Sequence, residues 1–340
     1  MEGAYYNGQY LNRLERLGYS QAEIDNKLER TFEEMFYGPE GVRLCHCAGP
    51  DMMYIEDTGN HDVRTEGMSY AMMFCVQMNR QKEFDCLWRW VVTHMYLTEG
   101  ENAGYFAWSC HTDGSKNSDG PAPDGEEFFA MSLFFAANRW GSGEGVLDYA
   151  SWARRILHAC VHKGEEAGSG FPMWNPENHL IKFIPNCEFT DPSYHLPHFY
   201  ELFALWSDEC DRPFWHAAAA ASRQYLRKAC HARTGLSAEY AEYDGRPHRG
   251  DQPDRHDWFF SDAYRTLGNI ALDAQWFGDK DGWAQETAAH IQQFFEEKEH
   301  GQTNGIYLID GTPVEGNALH PVGLLATIAQ GSLILDDACA

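Results

Sequence analysis

The chain has 340 residues and a formal net charge of −25, from 51 acidic and 26 basic residues, and 44% of its residues are hydrophobic. This length and apolar content suit a globular protein of one large domain or two ordinary ones. Nucleic acids and anionic membranes are bound through basic patches, so the negative charge argues against both as partners. The sequence has no apolar run of the ~18 residues that a membrane span needs, and no signal-peptide pattern at its start. We therefore expect a cytoplasmic protein.

Aromatic residues account for 14% of the chain, and they have two common uses. Aromatic rings line sugar-binding surfaces, but core packing is the commoner use of any single ring. The ten cysteines include no paired CxxC motif, and Cys45-His46-Cys47 matches no common zinc-ligand spacing. We interpret this segment as two free thiols and a loop histidine. We predict neither a metal ion nor a cofactor.

Helices of two kinds alternate along the chain after an irregular arm at residues 1–19. Ser20, with Glu23 three residues later, predicts a capping box at the start of a helix. This helix has a one-sided apolar stripe formed by Ile24, Leu28, Phe32, Met35 and Phe36. Further one-sided helices are predicted at residues 82–98, 144–163, 212–231 and 279–299. Such helices lie on the outside of a core with one face in water.

Between the one-sided helices lie helices that are apolar on every side and must therefore be buried. The first follows Thr65, which we interpret as its N-cap residue. The others begin at residues 124, 192, 262 and 322, and a hairpin is predicted around residues 306–312. The alternation predicts an inner and an outer ring of helices. Hairpin connections then direct the N-termini of all inner helices to one end of the ring.

Polar residues near the starts of the inner helices should meet at that end, because the longest loops precede these helices. Five residues hold this position, namely Glu66, Asp124, Tyr194, Asp262 and His320. Glu66 is the least easily explained as a structural residue, because Thr65 already supplies a cap. We therefore take Glu66 as the leading catalytic candidate.

The other four residues each have an ordinary structural explanation. Asp124 with Glu127 would make a capping box, and Asp262 would complement a helix dipole. Tyr194 would be a core ring with a satisfied hydroxyl, and His320 a satisfied loop histidine. Their recurrence at equivalent positions favours a shared site.

Carboxyl groups at the mouth of an aromatic-rich ring suit the hydrolysis of glycosidic bonds. One carboxylic acid must protonate the leaving oxygen, and one carboxylate must activate water or attack the sugar. A helix N-terminus lowers the pKa of a carboxyl group by less than one unit, since the dipole contributes about 0.3–1 kcal/mol. Burial and a like-charged neighbour raise a pKa by several units. With Asp124 beside it in a desolvated cleft, Glu66 would therefore remain protonated.

Three segments resemble motifs of glycoside hydrolase family 8, in the family's order and across most of the chain. Thr65-Glu66-Gly67-Met68-Ser69-Tyr70-Ala71-Met72 resembles the general-acid motif. Ala122-Pro123-Asp124-Gly125-Glu126-Glu127 is similar to the second acidic segment, and Ser261-Asp262-Ala263-Tyr264-Arg265 to the segment that carries the general base. The resemblance implies an all-α fold, the (α/α)6 barrel, and an inverting mechanism on β-1,4-linked glycans.

The segment Asn317-Ala318-Leu319-His320-Pro321-Val322-Gly323-Leu324-Leu325-Ala326 resembles a loop of the family's exo-oligoxylanases. In that group the loop walls off the leaving-group side of the cleft and leaves room for one sugar. The resemblance therefore implies an enzyme that releases xylose from the reducing end of xylo-oligosaccharides, and we expect it to be a monomer. The alternatives are an endo-β-1,4-xylanase or endoglucanase on the same fold, less favourably a chitosanase, and an inactive glycan-binding relative.

Carried over by position, Glu66 is the general acid and Asp262 the general base. Tyr194 would hold the attacking water, and Asp124 would grip the sugar at the cleavage subsite. Arg265, one turn from Asp262, would orient a carboxylate. Residue type and position alone add three candidate sugar contacts, Arg64, Trp108 and Trp258.

The C-terminal end departs from the family's pattern. The sequence predicts five outer/inner helix pairs, whereas the barrel needs six. We therefore expect residues 1–340 to form a single barrel domain that lacks its last helix pair. Such a truncation would expose apolar surface on the first and last inner helices.

Overall fold

The structure, a computed structural model, describes residues 1–165, 169–250 and 255–335. Its α-helices are α1 (Ala4–Asn7), α2 (Arg13–Arg16), α3 (Gln21–Tyr37), α4 (Thr65–Gln77), α5 (Gln81–His94), α6 (Pro123–Trp140), α7 (Tyr149–His162), α8 (Pro197–Trp206), α9 (Arg212–Ala229), α10 (Arg265–Phe277), α11 (Trp283–Glu299) and α12 (Pro321–Gly331). Its short strands are β1 (Cys45–Cys47), β2 (Met53–Ile55), β3 (Asp62–Arg64), β4 (Ser109–His111), β5 (Trp258–Phe259), β6 (Ile306–Leu308) and β7 (Pro313–Val314).

The ten longer helices form two layers, as the hydrophobic patterns predict. The inner layer is α4, α6, α8, α10 and α12, in which each helix contacts the next. The outer layer is α3, α5, α7, α9 and α11, and α5 shows its one-sided character by burying Phe84, Leu87 and Trp88. The fold is all-α, an (α/α)6 barrel of which the described residues form five outer/inner pairs.

The sixth pair of the barrel is not formed by the part of the chain that the structure describes. Apolar side chains are exposed on the first and last inner helices, with exposed fractions of 45% for Phe74, 79% for Val322 and 50% for Leu325. This is the apolar exposure that the sequence predicts for a ring with five pairs.

The start of α4 and the start of α8 differ from the sequence prediction. Arg64, not Thr65, holds the N-cap position of α4, and Thr65 is the buried first residue of the helix, packed against Gly125 of α6. The helix expected from residue 192 is divided into a 3-10 turn, Pro192–Tyr194, and α8. Pro197 causes the division, because it lacks an N–H group and keeps the preceding residue out of the helical region.

Other details differ less. Leu28 of the expected stripe is 51% exposed, and His46 lies on β1 rather than in a loop. Asp262 belongs to a 3-10 turn, Ser261–Tyr264, that leads into α10. The capping box of Ser20 and Glu23 and the hairpin of β6 and β7 are confirmed. Among the described residues, no helix combines the length and the apolar character that crossing a membrane would require.

The N-terminal ends of α4 and α6 touch through a glycine. A Cβ atom at Gly125 would lie 2.5 Å from the Cβ atom and 2.7 Å from the Oγ1 atom of Thr65. Only glycine therefore fits at this position without moving Thr65. Because Glu66 and Asp124 are the chain neighbours of these two residues, the contact also brings the two acidic side chains together.

We expect Gly125→Ala to lower the free energy of unfolding by about 1–3 kcal/mol, because the added methyl group pushes α4 and α6 apart. Thermal unfolding followed by circular dichroism measures this change. Gly67→Ala is the matched control, since a Cβ atom there would meet its nearest neighbour, Ile55 Cγ2, at an ordinary 3.4 Å. Equal stability of the Gly125→Ala variant and the wild type would contradict the tight contact.

Candidate active site

Glu66 and Asp124 form a pair of carboxyl groups at the N-terminal ends of two neighbouring inner helices. Thr65 Oγ1 donates a hydrogen bond of 3.2 Å to Glu66 Oε2, and the backbone N–H of Gly125 donates one of 3.0 Å to Asp124 Oδ1. Burial, followed by the negative charge of Asp124, raises the pKa of Glu66 to about 8. Glu66 is therefore protonated at neutral pH and can act as a proton donor.

Arg265, the first residue of α10, joins three parts of this site. Its Nη1 atom donates to Asp124 Oδ2 at 2.9 Å and to the hydroxyl of Tyr70 at 2.6 Å. Its Nη2 atom lies 3.3 Å from Asp262 Oδ2. Burial raises the pKa of Asp124, and the guanidinium group opposes that rise. Arg265 thus contacts two carboxyl groups, whereas the sequence analysis expected it to orient one.

Tyr70 is a site residue that the sequence analysis did not single out. It lies one helical turn after Glu66, and residues four apart share a face of a helix. This spacing is the signal that could have identified it. Burial raises the pKa of Tyr70, so its hydroxyl remains neutral and accepts the hydrogen bond from Arg265.

Tyr194 is buried and faces the same arginine, with its ring centroid 5.6 Å from Arg265 Cζ. Asp191 begins the turn that carries Tyr194, and its Oδ1 atom accepts a 2.7 Å hydrogen bond from the backbone N–H of Ser193. Asn269 of α10 fastens the turn by donating to the carbonyl oxygen of Ser193 at 2.7 Å. Burial and the charge of Asp124 raise the pKa of Tyr194 well above its ordinary value, so the phenol is a neutral hydrogen-bond donor.

Asp262 differs from the other carboxyl groups by its exposure. Its side chain is 41% exposed, whereas that of Asp124 is 2% exposed. The charge of Asp262 also contributes to the raised pKa of Glu66, which places the two groups within electrostatic range. The site therefore contains a protonated, partly buried carboxylic acid and a carboxyl group that water can reach. That is the pair required for acid- and base-assisted hydrolysis of a glycosidic bond.

Helix α12, which His320 immediately precedes, packs beside the turn that carries Asp262. His320 is exposed and holds the N-cap position of α12 without a side-chain capping bond. A Cβ atom on Gly323, in the first turn of α12, would be 3.2 Å from the hydroxyl of Tyr264. Because Tyr264 is two residues after Asp262, the start of α12 borders the open side of the site.

The remaining candidate sugar contacts are Arg64 and Trp258, which lie on strands, and Trp108, which immediately precedes β4. Arg64, on β3, has its Cζ atom 5.1 Å from the ring centroid of Trp108, and its Nε atom is 3.1 Å from Asp62 Oδ1. Trp258, on β5, is four residues before Asp262 and lies 5.2 Å from Arg255 Cζ. Each tryptophan ring thus makes a cation–π contact with a guanidinium group.

Two further buried acids follow Asp124 on α6. Glu126 Oε1 accepts a 2.9 Å hydrogen bond from the backbone N–H of Phe106, and Glu127 Oε1 accepts one from the hydroxyl of Tyr200. The N-cap residue of α6 is Ala122, which has no side-chain cap. The capping-box explanation for Asp124 and Glu127 is therefore wrong, because both side chains bond across the barrel instead.

Comparison with known proteins identifies the same family as the sequence motifs do. The family model described as glycosyl hydrolases family 8 matches residues 19–330. A reducing end xylose-releasing exo-oligoxylanase of Halalkalibacterium halodurans is 55% identical over 333 residues, which cover 98% of this chain and 84% of the relative. The structure of Rex8A from Paenibacillus barcinonensis complexed with xylose is 54% identical with a TM-score of 0.96, covering 100% of this chain and 89% of that chain. A Rex8A mutant complexed with an α-L-arabinofuranosyl-xylotetraose has the same identity and TM-score, covering 100% and 88%. The chain belongs to glycoside hydrolase family 8.

Proposed function

We propose that this protein is an inverting glycoside hydrolase that releases xylose from the reducing end of β-1,4-xylo-oligosaccharides. The observation that carries the proposal is a Glu66 whose pKa is raised to about 8, within electrostatic range of an exposed Asp262 that pairs with Arg265. The exo-oligoxylanase of Halalkalibacterium halodurans and the Rex8A complexes supply the substrate class.

Glu66 acts as the general acid and protonates the oxygen of the leaving xylose. A pKa of about 8, caused first by burial and then by Asp124, keeps the proton on Glu66 at neutral pH. Asp124 has one oxygen bonded to Arg265 and the other to a backbone N–H group, so its remaining lone pairs can accept hydrogen bonds from sugar hydroxyls. Asp124 therefore fixes the sugar at the cleavage subsite.

Asp262 acts as the general base that removes a proton from the attacking water. Its exposure allows a water molecule to reach the carboxylate, and Arg265 Nη2 lies 3.3 Å from Asp262 Oδ2 as an ion-pair partner. The neutral hydroxyl of Tyr194 donates a hydrogen bond to hold this water. Attack from the face opposite the leaving group inverts the anomeric carbon.

The wall on the leaving-group side comes from the loop that precedes α12. His320 and Leu319 are both exposed there, and Leu319 has an exposed fraction of 56%. With these side chains closing the cleft after one sugar, the leaving group is a single xylose. Arg64, Trp108 and Trp258 contact the remaining sugars.

The cellular setting and assembly form part of the same proposal. Every cysteine in the described ranges is a free thiol, which suits the reducing cytoplasm. We propose that the protein acts there as a monomer, with a single catalytic domain over residues 1–340. Short oligosaccharides are substrates that such an enzyme can meet after their uptake.

Hydrolysis of xylotriose tests the proposed function directly. We expect xylose and xylobiose, with the newly formed reducing end in the inverted configuration, measured by proton NMR during the first turnovers. Glu66→Gln should lower kcat by about 10²–10⁴-fold while keeping substrate binding, because the amide retains the shape but has no acidic proton to transfer. Xylobiose with retained configuration at its new reducing end, or full activity of the variant, would contradict the assignment.

The pH dependence of kcat/KM tests the protonation state of Glu66. The acid must be protonated, so kcat/KM should fall as the pH rises through the pKa of Glu66, about 8. Asp124→Asn removes a negative neighbour and should lower that pKa, moving the alkaline limb to lower pH even though activity is reduced. Asp113→Asn, in the exposed loop after β4, is the control that should leave the limb in place. If the alkaline limb does not move in Asp124→Asn, the charge of Asp124 does not raise the pKa of Glu66.

The exo-acting specificity is tested at His320. We expect His320→Ser to widen the leaving-group side, so that products from xylotetraose include more xylobiose, measured by chromatography. The helix should remain intact, because serine is a favoured N-cap residue. His216→Ser, at a 76% exposed histidine of α9, is the control. An unchanged product ratio would place the wall elsewhere, and a mixed set of products from the wild type would favour the endo-acting alternative.

A further inference from the structure

A cluster of histidine and carboxylate side chains lies on the outer layer. His158 and His162 are four residues apart on α7, so they share a face of the helix. Asp211, immediately before α9, lies between them. Its Oδ1 atom is 2.7 Å from His162 Nε2, and its Oδ2 atom is 3.7 Å from His158 Nδ1. One ligand atom from each of the three residues lies within 4.8 Å of the others.

The orientation of Asp211 is unusual for its place in the chain. An aspartate at an N-cap position normally accepts a hydrogen bond from a backbone N–H group of the first turn. Asp211 holds the N-cap position of α9 but makes no such bond. Its carboxylate is 2% exposed and is directed at the two imidazole rings of α7. A buried carboxylate in this orientation is balanced either by a protonated imidazole or by a metal ion opposite it.

His162 is also held in the manner of a metal ligand. Its Nδ1 atom is 2.8 Å from Glu165 Oε2, while its Nε2 atom faces Asp211. Metal-binding histidines commonly use one ring nitrogen for the ion and donate from the other to a carboxylate, which fixes the orientation of the ring. Glu165 supplies that outer carboxylate here.

We propose that His158, His162 and Asp211 bind one divalent transition-metal ion, with Zn²⁺ as the best-fitting example. Zinc ligands at ~2.0–2.2 Å lie roughly 3.3–3.6 Å from one another in tetrahedral geometry. The separations of Asp211 from His162 and His158, 2.7 and 3.7 Å, lie on either side of that range, and all three ligand atoms lie within 4.8 Å, so side-chain rotations would be needed to reach tetrahedral spacing. Two imidazoles and one carboxylate select such ions over Mg²⁺ and Ca²⁺.

The exposure of the site allows an ion to enter and leaves room for water. His158 is 46% exposed and His162 is 26% exposed, so the fourth coordination position faces solvent. The bound ion would cross-link α7 and α9, which belong to consecutive pairs of the barrel. The role is therefore structural and separate from hydrolysis at the inner ring.

Calorimetric titration of the full chain with ZnCl2, under a non-chelating reductant, tests the proposal. We expect a micromolar site that His158→Ala weakens by at least about tenfold, since even the loss of an outer partner typically costs 10–100-fold. His216→Ala, at the 76% exposed histidine of α9, is the matched control and should retain the site. Because thiols and acids elsewhere in the chain are the same in both variants, the comparison removes their contribution to Zn²⁺ binding.

Three further measurements test which residues are ligands and whether the site is separate from hydrolysis. Co²⁺ should give the visible absorption of a tetrahedral complex in the wild type and lose it in His158→Ala. Cys210→Ser should retain the site, because the Cys210 thiol is a 3.3 Å hydrogen-bond neighbour of Asp211 and not a ligand. Hydrolysis of xylotriose should be the same for His158→Ala and the wild type. Identical Zn²⁺ isotherms and Co²⁺ spectra for these two proteins would overturn the proposal.

Discussion

The site depends on one buried guanidinium group. Arg265 of α10 reaches Asp124 of α6, Tyr70 of α4 and Asp262 of its own first turn. Several acidic side chains gathered at one end of a barrel repel one another, and burial strengthens that repulsion. Removing one partner of a buried ion pair typically costs about 3–5 kcal/mol, because the other charge is left uncompensated. Arg265 therefore holds three inner helices in register while it orients the carboxyl groups.

The environments of Glu66 and Asp262 differ in a way that suits the acid and base roles proposed for them. All the inner helices present their N-termini to the cleft, and the helix dipole favours a charged carboxylate by only about 0.3–1 kcal/mol, which is less than one pKa unit. Burial and Asp124 act in the opposite direction on Glu66 and raise its pKa from an ordinary 4.5 to about 8. Burial thus outweighs the dipole at Glu66. The side chain of Asp262 is 41% exposed, which suits the base role proposed for it, just as the raised pKa of Glu66 suits the proposed acid role.

The sequence predicts the architecture well, because that architecture follows from hydrophobic periodicity alone. Helices that are apolar on every side have to be inside, and the equivalence of Glu66, Asp124, Tyr194 and Asp262 at the helix starts follows from connectivity. The errors of the sequence prediction arise from tertiary contacts. Arg64 replaces Thr65 as the N-cap residue because α6 packs against Thr65, and Glu127 bonds to Tyr200 of α8 instead of closing a capping box. No local pattern reports contacts between helices that are distant in sequence.

Tyr70 illustrates the same limit at the site. Its position one turn after Glu66 is visible in the sequence, but its function as a partner of Arg265 depends on how α4 and α10 face each other, across 195 positions of the chain. The assignment of His320 to the wall depends similarly on where α12 begins.

The proposed wall at the start of α12 is supported even though α12 lies at the open edge of the ring. Helix α12 is fastened to α10 by close approaches at glycines. A Cβ atom at Gly268 would be 2.6 Å from Gln330 Oε1, and one at Gly331 would be 3.2 Å from Leu267 Cδ2. Gln292 of α11 adds hydrogen bonds to α12 and to the turn after it. Since α10 also follows the turn of Asp262, the proposed base and the proposed wall belong to one packed unit. Their separation is therefore set by α10, α11 and α12, whatever covers the exposed face of α12.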